Sequence, residues 1–248
     1  QNMEPKAGLT DDVPEPLEES YVKHGDIFQL GEHRIVCGEA PADISLLGDV
    51  AQALVLTDPP YGINIVRGLS ATNGAKPFGC GGPKGQEPAF GRKAARASGL
   101  LQRHVGGPGV VHPRLYMPIT GDDKPFDPTF LLTLGKGQII FGAPYFTSKL
   151  KDGTAWLVWD KHTSPEASFS ECELAWTSFK GRFRLYRHTW SGMVRAGNRQ
   201  EELKDRVHPT QKPVGLLSAI LEDFSVGGEL ILDPFLGSGT TLIACEKL

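Results

Sequence analysis

Two features of membrane and secreted proteins are missing from this 248-residue sequence. It has no run of about 18 apolar residues, so no segment reads as a transmembrane helix. Its first ten residues, QNMEPKAGLT, lack the charged-then-apolar pattern of a signal peptide. The sequence therefore predicts a soluble intracellular protein without a membrane partner.

Cysteine is scarce, and its spacing is uninformative for metal or disulfide chemistry. No CxxC pair occurs, which argues against a disulfide framework and against a thiol-rich zinc site. Cys80, His104 and His112 share one irregular segment, but they have no recognisable ligand spacing. We predict no metal. The four cysteines are Cys37, Cys80, Cys172 and Cys245.

The net charge of −3 hides an uneven distribution. Residues 1–20 carry six acids and one lysine, whereas residues 67–114 carry eight basic residues and one acid. Residues 180–206 carry eight more basic residues against three acids. Two basic stretches on a near-neutral body suit a polyanionic partner, although solvated charge runs would give the same pattern.

The order of predicted elements indicates the fold class. Residues 1–24, rich in Pro and Glu, read as a disordered acidic linker, and DIFQLGEHRIVCGE reads as a hairpin around Gly31. ALVLT, GQIIFG, TAWLVWD and GELILDPF read as strands, while CELAWTSF and RFRLYRHTW alternate like a strand pair. KPVGLLSAILEDF and GTTLIACEKL read as helices. Alternating strands and helices predict an α/β fold with an open, mostly parallel sheet.

Residues 62–113 interrupt this order. Glycine and proline punctuate them without an apolar period, so we predict a long, mobile basic loop. The remainder, residues 25–248, is predicted to form one domain.

Two predicted strands end in an acid followed by proline: LVLTDPPYG and ELILDPFLGSGTTLIA. In the second, Gly237 and Gly239 would let a ligand approach the backbone closely. A phosphate loop would need Lys before the Ser/Thr pair, and a dinucleotide fingerprint would need a third glycine. A nucleoside-type ligand or a plain tight turn remains open. Both acids lie where open α/β sheets bind ligands.

DPPYG, then HPTQKP, then DPFLGSGTT together resemble the amino-directed DNA methyltransferases that use S-adenosylmethionine. The order, catalytic motif first and cofactor motif last, resembles the circularly permuted beta arrangement. The resemblance covers residues 25–61 and 119–248, and extends to phage and ParB-fused DNA modification methylases. It implies the class I methyltransferase fold and work on nucleoid DNA in the cytoplasm of a bacterial or phage-infected cell.

The resemblance implies that Asp58, Pro59, Pro60 and Tyr61 are catalytic. An exocyclic base amine is a poor nucleophile because its lone pair is delocalised into the ring. Acceptors on Asp58 and on the Pro59 carbonyl would favour a pyramidal nitrogen, and the prolines would hold both acceptors in place. Tyr61 would stack on a flipped base. The DPPY form favours adenine over cytosine, and no Pro-Cys motif supports methylation at carbon.

The cofactor residues are also implied by the resemblance. Asp233 would lie near the methionine amino group, with Gly237 and Gly239 alongside, and Phe235 would contact the cofactor or belong to the core. The whole implied loop comprises Asp233, Pro234, Phe235, Gly237, Ser238, Gly239 and Thr240.

HPTQKP is similar to the motif that meets the methionine carboxylate, with Lys212 as the charge partner. Its implied contacts are His208, Thr210, Gln211 and Lys212. Glu39 occupies the place where relatives usually have an aspartate facing the adenine amine. Asp122 and Asp123 are candidates for lining the pocket.

Duplex DNA is the implied partner, and a cognate restriction enzyme and a homodimer are compatible with the family. The 180–206 stretch is the predicted DNA-contact region. Alternation puts Arg182, Arg184 and Tyr186 on one strand face, where cations and a ring suit phosphate contact and stacking. The predicted DNA-binding residues are Arg182, Arg184, Tyr186, Arg187 and Arg195.

One departure from the family concerns the C-terminus. Relatives have two more strands after the cofactor helix, with an acid for the ribose hydroxyls, whereas this sequence stops at Leu248 and Glu246 comes too early. We expect either a longer natural protein or an impaired copy. The alternative function is a degenerate methyltransferase fold that binds DNA or cofactor without turnover.

Overall fold

A computed structural model of the chain describes residues 21–63, 119–152, 154–162, 170–191, 194–195 and 211–248. Most of the predicted acidic linker and nearly all of the predicted basic loop lie outside these residues.

Ten strands occur in the described residues. In chain order they are β1 (Ile27–Leu30), β2 (His33–Val36), β3 (Leu54–Thr57), β4 (Gly137–Phe141), β5 (Trp156–Asp160), β6 (Cys172–Thr177), β7 (Arg184–Arg187), β8 (Trp190–Ser191), β9 (Val194–Arg195) and β10 (Ile231–Leu232). Strands β1 and β2 form the predicted hairpin, with Ile27 opposite Val36. Strands β8 and β9 form a second antiparallel pair.

The central sheet has six strands in the order β10-β3-β4-β6-β5-β7. The pairs β10–β3, β3–β4 and β5–β7 are parallel. Strand β6 is antiparallel to both neighbours, so five of the six strands point the same way. The predicted open, mostly parallel α/β sheet is confirmed. The predicted pairing of CELAWTSF with RFRLYRHTW was wrong, because β5 lies between β6 and β7 and hydrogen-bonds to both.

Two α-helices, α1 (Val214–Phe224) and α2 (Thr240–Glu246), cover one face of the sheet. Their apolar residues pack against alternate strand residues such as Leu54, Leu56 and Phe141. The other face packs against residues 126–150, which include the Phe126 and Phe146 rings. With both faces covered, all four residues of β3 are buried. Neither α-helix of the described chain has the length and apolar content to cross a membrane.

The strand directions bring four chain segments to one edge of the sheet. The carboxyl ends of β3, β4 and β10 meet there because these strands are parallel neighbours. Strand β6 runs the opposite way, so its beginning, not its end, reaches the same edge. Residues 58–61, called here the Asp58 turn, and residues 233–239, called the Asp233 turn, therefore lie side by side.

Candidate active site

The Asp58 turn holds its carboxylate with two donors. The Tyr61 hydroxyl donates to Asp58 Oδ1 at 2.5 Å, and Lys212 Nζ donates to Asp58 Oδ2 at 2.5 Å. Pro59 is buried and Pro60 partly buried, so the backbone that carries the acid is fixed by two restricted φ angles. Each carboxylate oxygen thus already accepts one hydrogen bond from the protein.

Lys212 is a buried cation held by two acids. Its side chain is only 7% exposed, and its Nζ lies 3.1 Å from Glu173 Oε2 as well as beside Asp58. Burial acts to lower the pKa of Lys212, but the Asp58 and Glu173 carboxylates outweigh it and raise that pKa, so the ammonium stays charged. In the structure, Lys212 is therefore paired with two acids of the protein itself. The implied contact with a methionine carboxylate stays a prediction.

The Tyr61 ring packs on the turn that follows β4. Tyr145 stacks on one face, with ring centroids 5.1 Å apart and planes 19° from parallel. A Cβ at Gly142, where φ is +70°, would overlap the Tyr61 ring, so only glycine fits there. The face of Tyr61 that sequence reasoning assigned to a flipped base is thus partly covered in the structure.

The Asp233 turn holds its acid without a cation from the described residues. Asp233 accepts hydrogen bonds from the Thr57 and Thr241 hydroxyls at 2.7 and 2.6 Å, and from the Phe235 backbone N–H at 3.0 Å. Burial raises the pKa of Asp233 to about 6, because these three donors offset only part of the desolvation and Asp58 is a second negative charge nearby.

The glycines of the Asp233 turn leave open space. Gly237 has φ +56°, and a Cβ there would have no heavy atom nearer than 3.8 Å. Phe235 lines the cavity and also packs edge-on against Phe126, with the ring centroids 5.4 Å apart, while its predicted cofactor contact stays a prediction. The turn therefore offers an apolar wall and a bare stretch of backbone to a ligand.

Both turns open into one cavity of about 250 Å³. It brings together eleven of the residues predicted from the sequence, although they come from three separate parts of the chain. They are Asp58, Pro59, Pro60, Tyr61, Gln211, Lys212, Asp233, Phe235, Gly237, Ser238 and Thr240. Asp122 also lines it and accepts hydrogen bonds from the backbone N–H groups of Gly62 and Ile63.

Gln211 supplies an unmet hydrogen-bonding group. Its Oε1 is buried, yet no described residue donates to it. Buried polar atoms are normally paired, so this oxygen is a candidate acceptor for a ligand donor.

Several predicted residues are not brought to this cavity. Glu39 is exposed and is absent from the lining, with its backbone N–H bound to Asp43 Oδ2 at 2.8 Å, so the structure does not support its predicted adenine contact. Asp123 is likewise exposed and absent from the lining. Pro234 and Gly239 shape the turn but do not line the cavity. His208 and Thr210 lie outside the described residues. Within those residues, no His, Cys, Asp and Glu side chains cluster as a metal site.

Comparison with known proteins relates part of this site to a family. Residues 147–248, about two-fifths of the chain, match the N6_N4_Mtase family model, described as DNA methylase. These residues are therefore similar to DNA methylases. The matched part contains Glu173, Lys212 and the whole Asp233 turn, whereas the Asp58 turn precedes it.

Short stretches of the chain are similar to curated relatives. It is 65% identical over 37 residues to type II methyltransferase M2.MboI of Moraxella bovis, covering 15% of this chain and 14% of that protein. It is 51% identical over 41 residues to type II methyltransferase M2.DpnII of Streptococcus pneumoniae, covering 16% and 15%. The matched stretches span about a seventh of the length of these relatives.

A solved structure, the M1.HpyAVI–SAM complex, is similar over 82% of each chain, with 16% identity and a TM-score of 0.36.

The predicted DNA-contact face needs a correction. Arg184 and Tyr186 do share a strand face, but that face packs on α1. Arg184 Nη1 lies 2.7 Å from Asp223 Oδ2 and its guanidinium lies over the Phe224 ring, while the Tyr186 hydroxyl donates to Asp223 at 2.6 Å. These side chains are engaged by the helix, so they do not form an open stacking surface. Arg182 and Arg187 are exposed. The side chain of Arg195 lies outside the described residues.

Sequence reasoning missed Glu173. It lies at the second position of β6, opposite Trp159, and reaches the site because β6 is reversed. Burial acts to raise its pKa, but Lys212 and Lys161 outweigh that and hold the pKa below its usual range. A pattern that expects the acid directly after a strand cannot identify an acid near the start of a strand. Its only signal was the alternation of CELAWTSF.

Proposed function

We propose that this protein transfers a methyl group from S-adenosylmethionine to the exocyclic amine of a base flipped out of duplex DNA, with adenine preferred over cytosine. The observation that carries the proposal is the pairing of two acids, Asp58 and Asp233, at neighbouring strand ends that open into one cavity. One acid suits the target amine, and the other suits a cationic cofactor.

The cavity residues fit the methionine part of that cofactor. Asp233 has no cationic partner among the described residues and would take the α-ammonium group. Gly237 leaves room beside it, and the orphan Gln211 Oε1 would accept a ligand N–H. When bound, the sulfonium supplies an electrophilic methyl group: the C–N bond forms as the S–C bond breaks, and the amine then loses a proton to water.

At the Asp58 turn, the protein contributes alignment of the target amine and electrostatic stabilisation. Asp58 and the Pro59 carbonyl would accept the two N–H bonds of the base amine and direct its lone pair at the methyl group. The ionised Asp58 also faces the positive charge that develops on the nitrogen. The charge on Lys212 opposes this effect, which makes its second acid, Glu173, relevant to the reaction.

The base must gain access to the Tyr61 ring. Because Tyr145 covers one face of that ring, base entry requires Tyr145 to move aside or to serve as the outer stacking partner itself. Tyr145 is 57% exposed and therefore lies at the surface of the site.

The test is methyl transfer from tritiated S-adenosylmethionine to DNA of mixed sequence. We expect label in the DNA, and digestion to nucleosides with mass spectrometry should give N6-methyladenine. N4-methylcytosine instead would contradict only the preference for adenine and leave the rest of the proposal intact. DNA and cofactor binding without label would favour the alternative, a degenerate binding module.

The exposed arginines are proposed to contact DNA phosphates. Replacing Arg182 by Ala should reduce the slope of log affinity against log salt by about one unit, the value expected for one lost phosphate contact. Arg184→Ala is the matched control, because Asp223 already holds that guanidinium. A control variant that lowers the slope as much as Arg182→Ala would place the DNA surface on the α1 side.

A further inference from the structure

Four charged side chains form a continuous chain at the reversed start of β6. Lys161 Nζ lies 2.6 Å from Glu173 Oε1, Lys212 Nζ lies 3.1 Å from Glu173 Oε2, and Lys212 Nζ lies 2.5 Å from Asp58 Oδ2. Two cations and two anions alternate, so the chain is neutral as a whole. Lys212 is the link between the two acids.

The Glu173 end of this chain has spare accepting capacity. Glu173 Oε2 is buried and lies 3.1 Å from Lys212 Nζ, and no other described donor reaches it. Both oxygens of Asp58 are already occupied, because the Lys212 ammonium and the Tyr61 hydroxyl each donate to one of them. Lys212 can therefore tighten on Glu173 while it loosens its bond to Asp58.

Catalysis at Asp58 requires that kind of exchange. The target amine needs an acceptor on Asp58, and the nitrogen becomes cationic as it gains the methyl group. An ammonium bound to the same carboxylate competes for the acceptor and repels the developing charge. A buried lysine cannot leave one acid without another to receive it, because an unpaired buried charge is strongly unfavourable.

We propose that Glu173 is a positioning residue that receives Lys212 when Asp58 binds the target amine. Glu173 acts through Lys212 and touches neither DNA nor cofactor. The inference rests on the proposed function, because it assigns Asp58 to the amine.

A double-mutant cycle on methyl transfer tests it. Glu173→Gln should lower single-turnover kcat roughly ten- to hundredfold, in keeping with the loss of a charged hydrogen-bond partner. Cofactor affinity should stay within about threefold, because Glu173 does not line the cavity. In a Lys212→Met background Glu173→Gln should cause no further loss, and Glu173→Asp should restore part of the rate. Glu171→Gln, an exposed acid two positions earlier, is the control.

The rate outcomes decide the proposal. Equal losses from Glu173→Gln with and without Lys212 would show that Glu173 acts independently, and an unchanged kcat would show that it does not act at all. Either result overturns the inference.

A second cycle, read by thermal unfolding, needs no activity. Asp58→Asn and Glu173→Gln each leave Lys212 one acid, whereas the double variant leaves it none, so the double loss of unfolding midpoint should exceed the sum of the single losses. Additive losses would contradict the exchange of Lys212 between the two acids. A wild-type chain that transfers no methyl group would instead overturn the proposed function, with this second cycle still deciding whether the acids substitute for each other.

Discussion

The two acids of the site follow neighbouring strands, yet the protein treats their charges differently. Asp58 is balanced by the buried Lys212 ammonium, whereas Asp233 is held by two hydroxyls and one backbone N–H. The pKa of Asp233 accordingly rises to about 6 through burial. The comparison teaches that the charge of Asp58 is balanced within the protein, whereas Asp233 has no cationic partner among the described residues and a ligand can supply one.

Removing the Asp58 charge should have the largest effect. Asp58→Asn replaces an ionised acceptor with a neutral amide, and we expect methyl transfer to fall by roughly a hundred- to a thousandfold. Cofactor affinity measured by calorimetry should change by only a few-fold, because the proposed cofactor contact is at Asp233. Asp123→Asn, at an exposed acid outside the cavity, is the control. A variant that keeps a tenth of the wild-type rate would remove Asp58 from its proposed position.

Blocking the space beside Asp233 should come next. Gly237→Val places a side chain where the structure has an open Cβ direction, so cofactor affinity should fall by about a hundredfold. Gly228→Val is the matched control. Gly228 also has a positive φ, +78°, and a Cβ added there would meet no atom within 4 Å. Gly228 does not line the cavity. Backbone strain alone would destabilise both variants alike. Equal affinities in the two variants would place the cofactor elsewhere.

Neutralising Asp233 should separate binding from stability. Asp233→Asn should weaken cofactor binding roughly tenfold or more, because the ammonium loses its counter-charge. The same change should raise the free energy of unfolding at pH 8 by an amount on the order of 2 kcal/mol, since the pKa of Asp233 is raised to about 6 and the buried charge is a cost above that pH. Denaturant unfolding at pH 8 and pH 4 measures it. A loss of stability at pH 8 would mean that the three donors need the charged form.

The pH dependence of binding should show the smallest effect. The pKa of Asp233 lies at about 6 in the folded chain against an ordinary value of 3.8, so Asp233 takes up a proton as pH falls through 6. Cofactor affinity should then weaken by up to about tenfold per pH unit below pH 6. The contribution of Asp233 to the free energy of unfolding has the opposite pH dependence. It is complete below pH 3.8 and is lost as pH rises through about 6. Asp233→Asn should show a flat binding profile, and a wild-type profile equally flat would assign the ammonium to another group.

Sequence reasoning located both acids because the carboxyl ends of parallel strands must share an edge, and the motifs named which strands to compare. It missed Glu173 because alternation identifies a strand but not its direction, and only the reversal of β6 brings that residue to the site. It assigned Lys212 to a ligand because an ion pair between positions 154 apart leaves no local pattern. For Arg184 and Tyr186, alternation gave the shared face correctly but could not reveal that α1 packs on it.

The hydrogen bond between Thr57 and Asp233 joins positions 176 apart, and β3 pairs with β10 over a similar separation. Forming this parallel pair closes a very long loop, which makes it an entropically slow step in folding. Asp58 is also far in sequence from Glu173, Lys212 and Asp233. A folding intermediate in which β10 has not formed therefore cannot contain the complete site. The proposed methyl-transfer activity should therefore appear only with the last phase of refolding, later than the bulk of the secondary structure.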